Sequence, residues 1–137
     1  TEKALGPDHP SLATSLNNLA KLYRQQGKLT DAEPLYQRDI EITEKALGPD
    51  HPSLATSFNN LAFLYGAQGR LTDAEPLYQR AIEIWDNAYN GIHPHLATSM
   101  ENYARLLHKT GRKKEAAQLE KQAQAIRDEL EKWNKGE

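Results

Sequence analysis

The chain has 137 residues, of which 38% are hydrophobic, 26% charged and 7% aromatic, with a formal net charge of −2. That is enough chain for one self-sufficient domain; it contains no cysteine, which excludes disulfides, Cys-based zinc sites and thiol catalysis. No apolar run approaches the roughly 20 residues of a membrane span, no signal-peptide pattern opens the chain, and the near-neutral charge disfavours nucleic acid as a partner. A soluble, cytoplasmic protein is expected.

Residues 1–9 read as the end of one element and a loop, since Thr1 to Leu5 repeat Thr43 to Leu47. The first full helix is predicted from Pro10, which suits a first turn, with Asp8-His9 supplying the cap. Leu12, Leu16, Leu19, Ala20, Leu22 and Tyr23 form its apolar stripe, and Gly27 ends it. A second helix follows at once. Thr30-Asp31-Ala32-Glu33 reads as a capping box, with Thr30 as N-cap, Glu33 reaching back and Pro34 still inside the first turn. Ala32, Leu35, Tyr36, Ile40, Ile42 and Leu47 carry this helix to Gly48-Pro49, a stop signal.

The same grammar then recurs. His9-Pro10, His51-Pro52 and His93-Pro94 keep an interval of 42 residues, as do Gly27, Gly69 and Gly111. Units over 10–47, 52–89 and 94–133 are expected within a single domain, 1–137. Thr72-Asp73-Ala74-Glu75 repeats the capping box, and Arg112-Lys113-Lys114-Glu115 is its weaker form. The last helix is predicted to run longer, over about 114–133. Leu119, Ala123, Ile126, Leu130 and Trp133 give it an apolar face, while Glu129, Glu131, Lys132 and Lys135 make the rest polar. Such a terminal unit would shield the end of a stack. No segment alternates as a strand, so the class is all-α.

Glycine between paired helices, preceded by Leu19, Ala20 and Tyr23 and followed by Ala32 and Tyr36, resembles the tetratricopeptide repeat. The 42-residue period and the segment LGPDHPSLATSLNNLAKLYRQQGKLTDAEPLYQRDIEI resemble the longer subtype found in kinesin light chains and bacterial arrays. The resemblance covers about residues 2–126. It implies a right-handed α-solenoid with a C-terminal capping helix, whose leading helices line a concave groove for an extended peptide of a partner protein. One position departs from the family pattern. Where the second helix has Ala81 and Ala123, the first unit has Asp39, which is expected to lie at a looser, exposed end.

Residues 2–43 and 44–85 differ at seven positions: 16/58, 21/63, 24/66, 25/67, 28/70, 39/81 and 43/85. Scaffold positions must match between stacked units, so variation marks solvent or a partner. By the resemblance, 21/63, 24/66 and 25/67 face the groove. Its lining would run from Lys21, Arg24 and Gln25 through Phe63, Gly66 and Ala67 to Arg105, His108 and Lys109. Basic ends around an apolar centre suit an aromatic or aliphatic anchor flanked by carboxylates; kinesin light chains recognise tryptophan-acidic peptides. The competing reading is an ordinary solvated face. Asn18, Asn60 and Asn102 recur inside the first helices, although asparagine is a poor helix former. The resemblance gives them the peptide backbone as partner; otherwise they bond neighbouring helices.

Other constellations carry less. Equivalent histidines would stand on the order of 20 Å apart, two helix diameters, whereas zinc needs ligands at about 2 Å. His9, His51 and His93 therefore read as caps, and His93-Pro94-His95, pointing its rings apart, is a weak metal signal. Thr14-Ser15, Thr56-Ser57 and Thr98-Ser99 lack a local base, and no phosphate-cradling glycine loop exists. Tyr23, Tyr36, Tyr65 and Tyr78 read as core, and Trp85 and Trp133 as packing or end-cover. No enzyme, cofactor or metal is expected. Beside peptide binding stands one alternative, a scaffold that self-associates through its ends, with Leu5, Leu12 and Leu16 exposed for stacking on a second copy.

Overall fold

The computed structural model describes residues 10–136; the expectations on residues 1–9, including His9 and Leu5, lie outside the described residues. Among the described residues six α-helices follow one another: α1 Pro10–Gln25, α2 Leu29–Leu47, α3 Pro52–Ala67, α4 Leu71–Tyr89, α5 Pro94–Lys109 and α6 Lys113–Asn134. They pack as antiparallel pairs, α1 with α2, α3 with α4 and α5 with α6, and each pair leans on the next through α2–α3 and α4–α5 contacts. The result is an all-α solenoid. None of the described helices is long and apolar enough to cross a membrane.

The tight turns within pairs follow from glycine. Gly27, Gly69 and Gly111 adopt φ of 80°, 77° and 79°, a region other residues rarely reach. The residue after each glycine donates its N–H back to the preceding helix, Lys28 to the Tyr23 carbonyl at 2.8 Å. The chain turns so sharply there that the next helix begins one residue on. Lys28, Arg70 and Arg112 therefore occupy the N-cap positions without side-chain caps. The expected capping boxes at Thr30 and Thr72 do not form, because both threonines already lie within a helix. For the same reason Pro34 and Pro76 fall inside their helices, beyond the first turn.

The glutamates freed from that role tie successive pairs together. Glu33 accepts from the Tyr65 hydroxyl at 3.1 Å and from Arg70 at 2.7 Å, and Gln37 donates to the same hydroxyl. One unit on, Glu75 accepts from the Tyr103 hydroxyl at 2.5 Å and from Arg112 at 2.6 Å, with Gln79 donating to Tyr103. The tyrosines are not equivalent in sequence. Units two and three exchange Leu61 and Tyr65 for Tyr103 and Leu107, so the phenol moves one helical turn yet finds the same acceptor.

The histidines act as caps. His51 Nδ1 accepts from the Ser53 N–H and His93 Nδ1 from the His95 N–H, each at 3.0 Å. The rings of His93 and His95 do not point apart, as the sequence suggested; their centroids are 5.0 Å from each other and both face Trp85. An extended cap followed by Pro94 folds the two rings onto one side. Burial, helped by the charge of His95, lowers the His93 pKa from its ordinary value.

Two apolar clusters run through the stack. One joins all three pairs near the glycine turns, where Ala20, Ala32, Ala62, Ala74, Ala104 and Ala116 let helices approach closely around Tyr36, Tyr65, Tyr78 and Tyr103. The other holds Leu54, Ala81, Ile84, Trp85, Leu96 and Ile126, drawn from α3 to α6. The first unit is nearly absent from this second cluster because Asp39 and Thr43 replace Ala81 and Trp85 there. Asp39 is nonetheless buried, 3% exposed, not at an open end as expected. Position 39 faces the following pair, whose Ser57 hydroxyl lies beside the carboxylate.

The ends also refine the reading. Leu119, Ile126 and Leu130 of α6 pack inward, but Trp133 is 58% exposed and joins neither apolar cluster. On α1, Leu12 and Leu16 are half-buried. Its exposed leucines are Leu19 and Leu22, whose counterparts Leu61 and Leu64 are buried.

Candidate functional site

Two depressions open between successive leading helices, each floored by the trailing helix between them. The one between α3 and α5, about 210 Å³, is walled by Phe63, Gly66 and Ala67 on one side and Asn102, Arg105, Leu106 and Lys109 on the other, with Tyr78 at its floor. Five of the nine residues singled out from the sequence, Phe63, Ala67, Asn102, Arg105 and Lys109, thus meet in one cleft. Asn18, Lys21 and Gln25 stand on α1, and Asn60 on α3 turns towards α1, all outside it.

Gly66 is what opens the cleft. At the corresponding place between α1 and α3, Arg24 lays its guanidinium 4.7 Å from the centroid of the Phe63 ring and closes the space. Gly66 has no side chain to do so, and a Cβ there would meet nothing within 4 Å. Glycine inside a helix costs about 1 kcal/mol relative to alanine, so the opening is achieved against local helix preference. Phe63 beside it is 39% exposed, an aromatic surface left uncovered on this side of Arg24.

The rim is basic. Arg105 Nη1 donates to Asn102 Oδ1 at 3.2 Å but pairs with no carboxylate at contact distance among the described residues, and Lys109 pairs with none there. Glu101 is committed elsewhere: Arg127 holds it in a two-point contact at 2.7 and 2.8 Å, which lowers its pKa from the ordinary value. His108, expected beside Arg105, instead turns to Glu120 of α6 at 3.1 Å and does not line the cleft. The Tyr78 phenol at the floor is held up to about 12, by burial first, with Arg105 and Arg24 opposing. It remains a protonated donor at neutral pH.

The asparagines divide. Asn60 Nδ2 donates to Asn17 Oδ1 at 2.9 Å, a bridge between α1 and α3 that was the alternative reading for this position. At the next joint the same pair, Asn59 and Asn102, stays open. Asn59 Oδ1 is buried without a partner, and Asn102 offers its oxygen to Arg105 while its amide N–H groups make no hydrogen bond among the described residues. Asn18 is exposed and likewise makes none. Sequence reasoning missed Tyr78 and Leu106 because they recur at scaffold positions; the paired loss of side chains at 66 and 67 was the available signal.

Models of the tetratricopeptide repeat match residues 12–53 and 53–129. BtubC (BKLC) from P. vanneervenii superposes with a TM-score of 0.87 at 26% identity, covering 92% of this chain and 50% of that one. A putative kinesin light chain of Podosopora anserina with nearly identical TPR-like repeats superposes with a TM-score of 0.80 at 31% identity, over 89% of this chain and 58% of the other. Nephrocystin-3 of Xenopus laevis is 54% identical over 37 residues, 27% of this chain and 3% of that protein. The chain spans about half the length of the solved chains it matches. It belongs to the tetratricopeptide repeat family and is an array of the kinesin light chain-like type.

Proposed function

We propose that the face formed by α1, α3 and α5 binds an extended peptide segment of a partner protein. Tetratricopeptide repeats generally mediate protein–protein interaction, and the reading is of a non-enzymatic module. The observation that carries it is the cleft at Gly66: apolar and aromatic within, unpaired and basic at the rim. An aromatic or aliphatic side chain would seat against Phe63, Ala67 and Leu106. Carboxylates beside it would meet Arg105 and Lys109, and the free amide of Asn102 would serve the peptide backbone. Affinity would be modest, since ordering a flexible segment consumes much of the contact energy.

Titration with a labelled acidic, tryptophan-bearing peptide tests the reading. Binding is expected to be saturable and to weaken with salt. Arg105→Ala with Lys109→Ala should reduce it about fivefold and flatten the salt dependence, as rim charges do. Equal binding of the same peptide with every acidic residue replaced by its amide would refute the assignment. A second reading, self-association, rests on exposed Leu19 and Leu22, where the following unit buries the matching leucines. Sedimentation equilibrium over a concentration series separates the two: a dissociating dimer lost on Leu22→Gln would support it, and a monomer throughout would remove it.

A further inference from the structure

The depression between α1 and α3 has a different chemistry from the cleft at Gly66. It encloses about 240 Å³, far above the about 10–15 Å³ that one water needs. Pro10 and Ala13 of α1 and Leu47 of α2 give it apolar walls, Ser57 of α3 adds a hydroxyl, and Asp39 and Thr43 of α2 form the floor. Asp39 Oδ1 accepts from the Thr43 hydroxyl at 3.0 Å. Its other oxygen, Oδ2, is buried with no hydrogen-bond partner, because the nearby Ser57 hydroxyl donates to the Ser53 carbonyl at 3.2 Å. Burial raises the pKa of this carboxyl from the ordinary 3.8, against the Ser57 and Thr43 hydroxyls and the charge of Lys21.

The next unit shows what this replaces. Ala81 and Trp85 stand at the matching positions, both buried, and Trp85 packs into the apolar cluster between α3 and α6. Two of the differences between near-identical units therefore act together. One removes an indole, and the other puts a carboxylate beneath the space it leaves.

We infer that this cavity is a subsite for a primary ammonium on an alkyl stem, the head of a lysine side chain in a bound peptide. The inference rests on the peptide-binding reading for the source of that lysine. An ammonium has three donors, and Asp39 Oδ2 with the hydroxyl oxygens of Thr43 and Ser57 supplies three acceptors. The stem lies along Pro10, Ala13 and Leu47, leaving the charge at the floor. A guanidinium fits less well, because its fork calls for both carboxylate oxygens and Thr43 already holds one. One carboxylate balances one positive charge; no group of three or more metal-ligating His, Asp or Glu side chains occurs among the described residues.

NMR titration of the whole chain tests this, reading the Thr43 and Ser57 amide resonances at constant ionic strength. The probes are n-butylammonium, Nα-acetyl-lysine N-methylamide and the norleucine analogue of the latter. Both amines should give saturable shifts and the norleucine compound none. Asp39→Ala should weaken amine binding at least about tenfold, the worth of a charge-assisted hydrogen bond. Asp39→Ala with Thr43→Trp reproduces the residues of the second unit, so it keeps the fold, and it should abolish binding. Gly66→Leu leaves this cavity intact, so amine binding retained there separates the subsite from any failure of the cleft. Equal shifts with potassium chloride alone, a response to butylammonium without one to the lysine derivative, or unchanged affinity in Asp39→Ala would overturn the inference. So would amine binding that emerges only in Lys21→Ala, which would put Lys21 itself in the cavity.

Discussion

Replacing Gly66 with leucine is expected to weaken peptide binding by at least about tenfold, or 1.4 kcal/mol, while making the protein more stable. The two effects have separate causes. Leucine is a better helix former than glycine by nearly 1 kcal/mol, and its Cβ enters open space, so no clash offsets that gain. The rest of the side chain occupies the cleft where an anchor would sit, and full burial of such an anchor is worth about 1.5–3 kcal/mol. Rim charge is unchanged, so the loss cannot be assigned to electrostatics. Gly66→Ala is the control. It should gain nearly the same stability and, filling little of the cleft, bind within about twofold of the parent. Calorimetry for binding and thermal melts for stability read the two effects; a leucine variant that binds like the parent would remove the cleft from the site.

Asp39→Ala should raise stability by about 1–2 kcal/mol near neutral pH, since a buried carboxylate with an unpartnered oxygen is being removed. Alanine is also the residue at the matching places, Ala81 and Ala123, both fully buried. The melting temperature should rise by about 3–5 °C per kcal/mol. The pH dependence has a definite sign. Asp39 has its pKa raised in the folded protein above the ordinary 3.8, so the folded state holds this proton more tightly than the unfolded one. Its favourable term is fully present below about pH 3.8 and is lost as pH rises through the folded value. The advantage of the alanine variant should therefore be smallest in acid and largest at neutral pH. A constant difference across that range would mean that the carboxyl titrates normally. Stability gained here at the expense of amine binding would mark Asp39 as a residue kept for recognition.

Much of the architecture is written in local signals. Prolines at 10, 52 and 94, glycines at 27, 69 and 111 and the 42-residue period specify helix ends, turns and stacking without tertiary information. What local rules misassigned was residues whose partners lie in another unit. Glu33 and Glu75 have the spacing of a capping box, but a turn closed by a left-handed glycine starts the next helix too early for Thr30 to cap it. The carboxylates then serve a neighbouring tyrosine and arginine. Position in the chain places Asp39 at an end, whereas a trailing helix packs its side chains against the unit that follows. Its burial was readable from the joint change at 39 and 43, which conserves neither volume nor polarity singly. In the candidate site, comparing units singles out Phe63, Ala67, Arg105 and Lys109, which lie together in one cleft. It could not show that Arg24 reaches across to cover Phe63, or that His108 turns away to Glu120, because helical position alone does not choose a rotamer.

The tyrosine exchange between units has a further consequence. The glutamate at one repeating position accepts a phenol from one turn of the next helix at Glu33 and from the adjacent turn at Glu75, so the joint tolerates drift in the residues that make it. An ancestral block can then be copied and appended without reshaping its neighbours. The open troughs, which carry fewer of these joints, are left free to diversify from one block to the next.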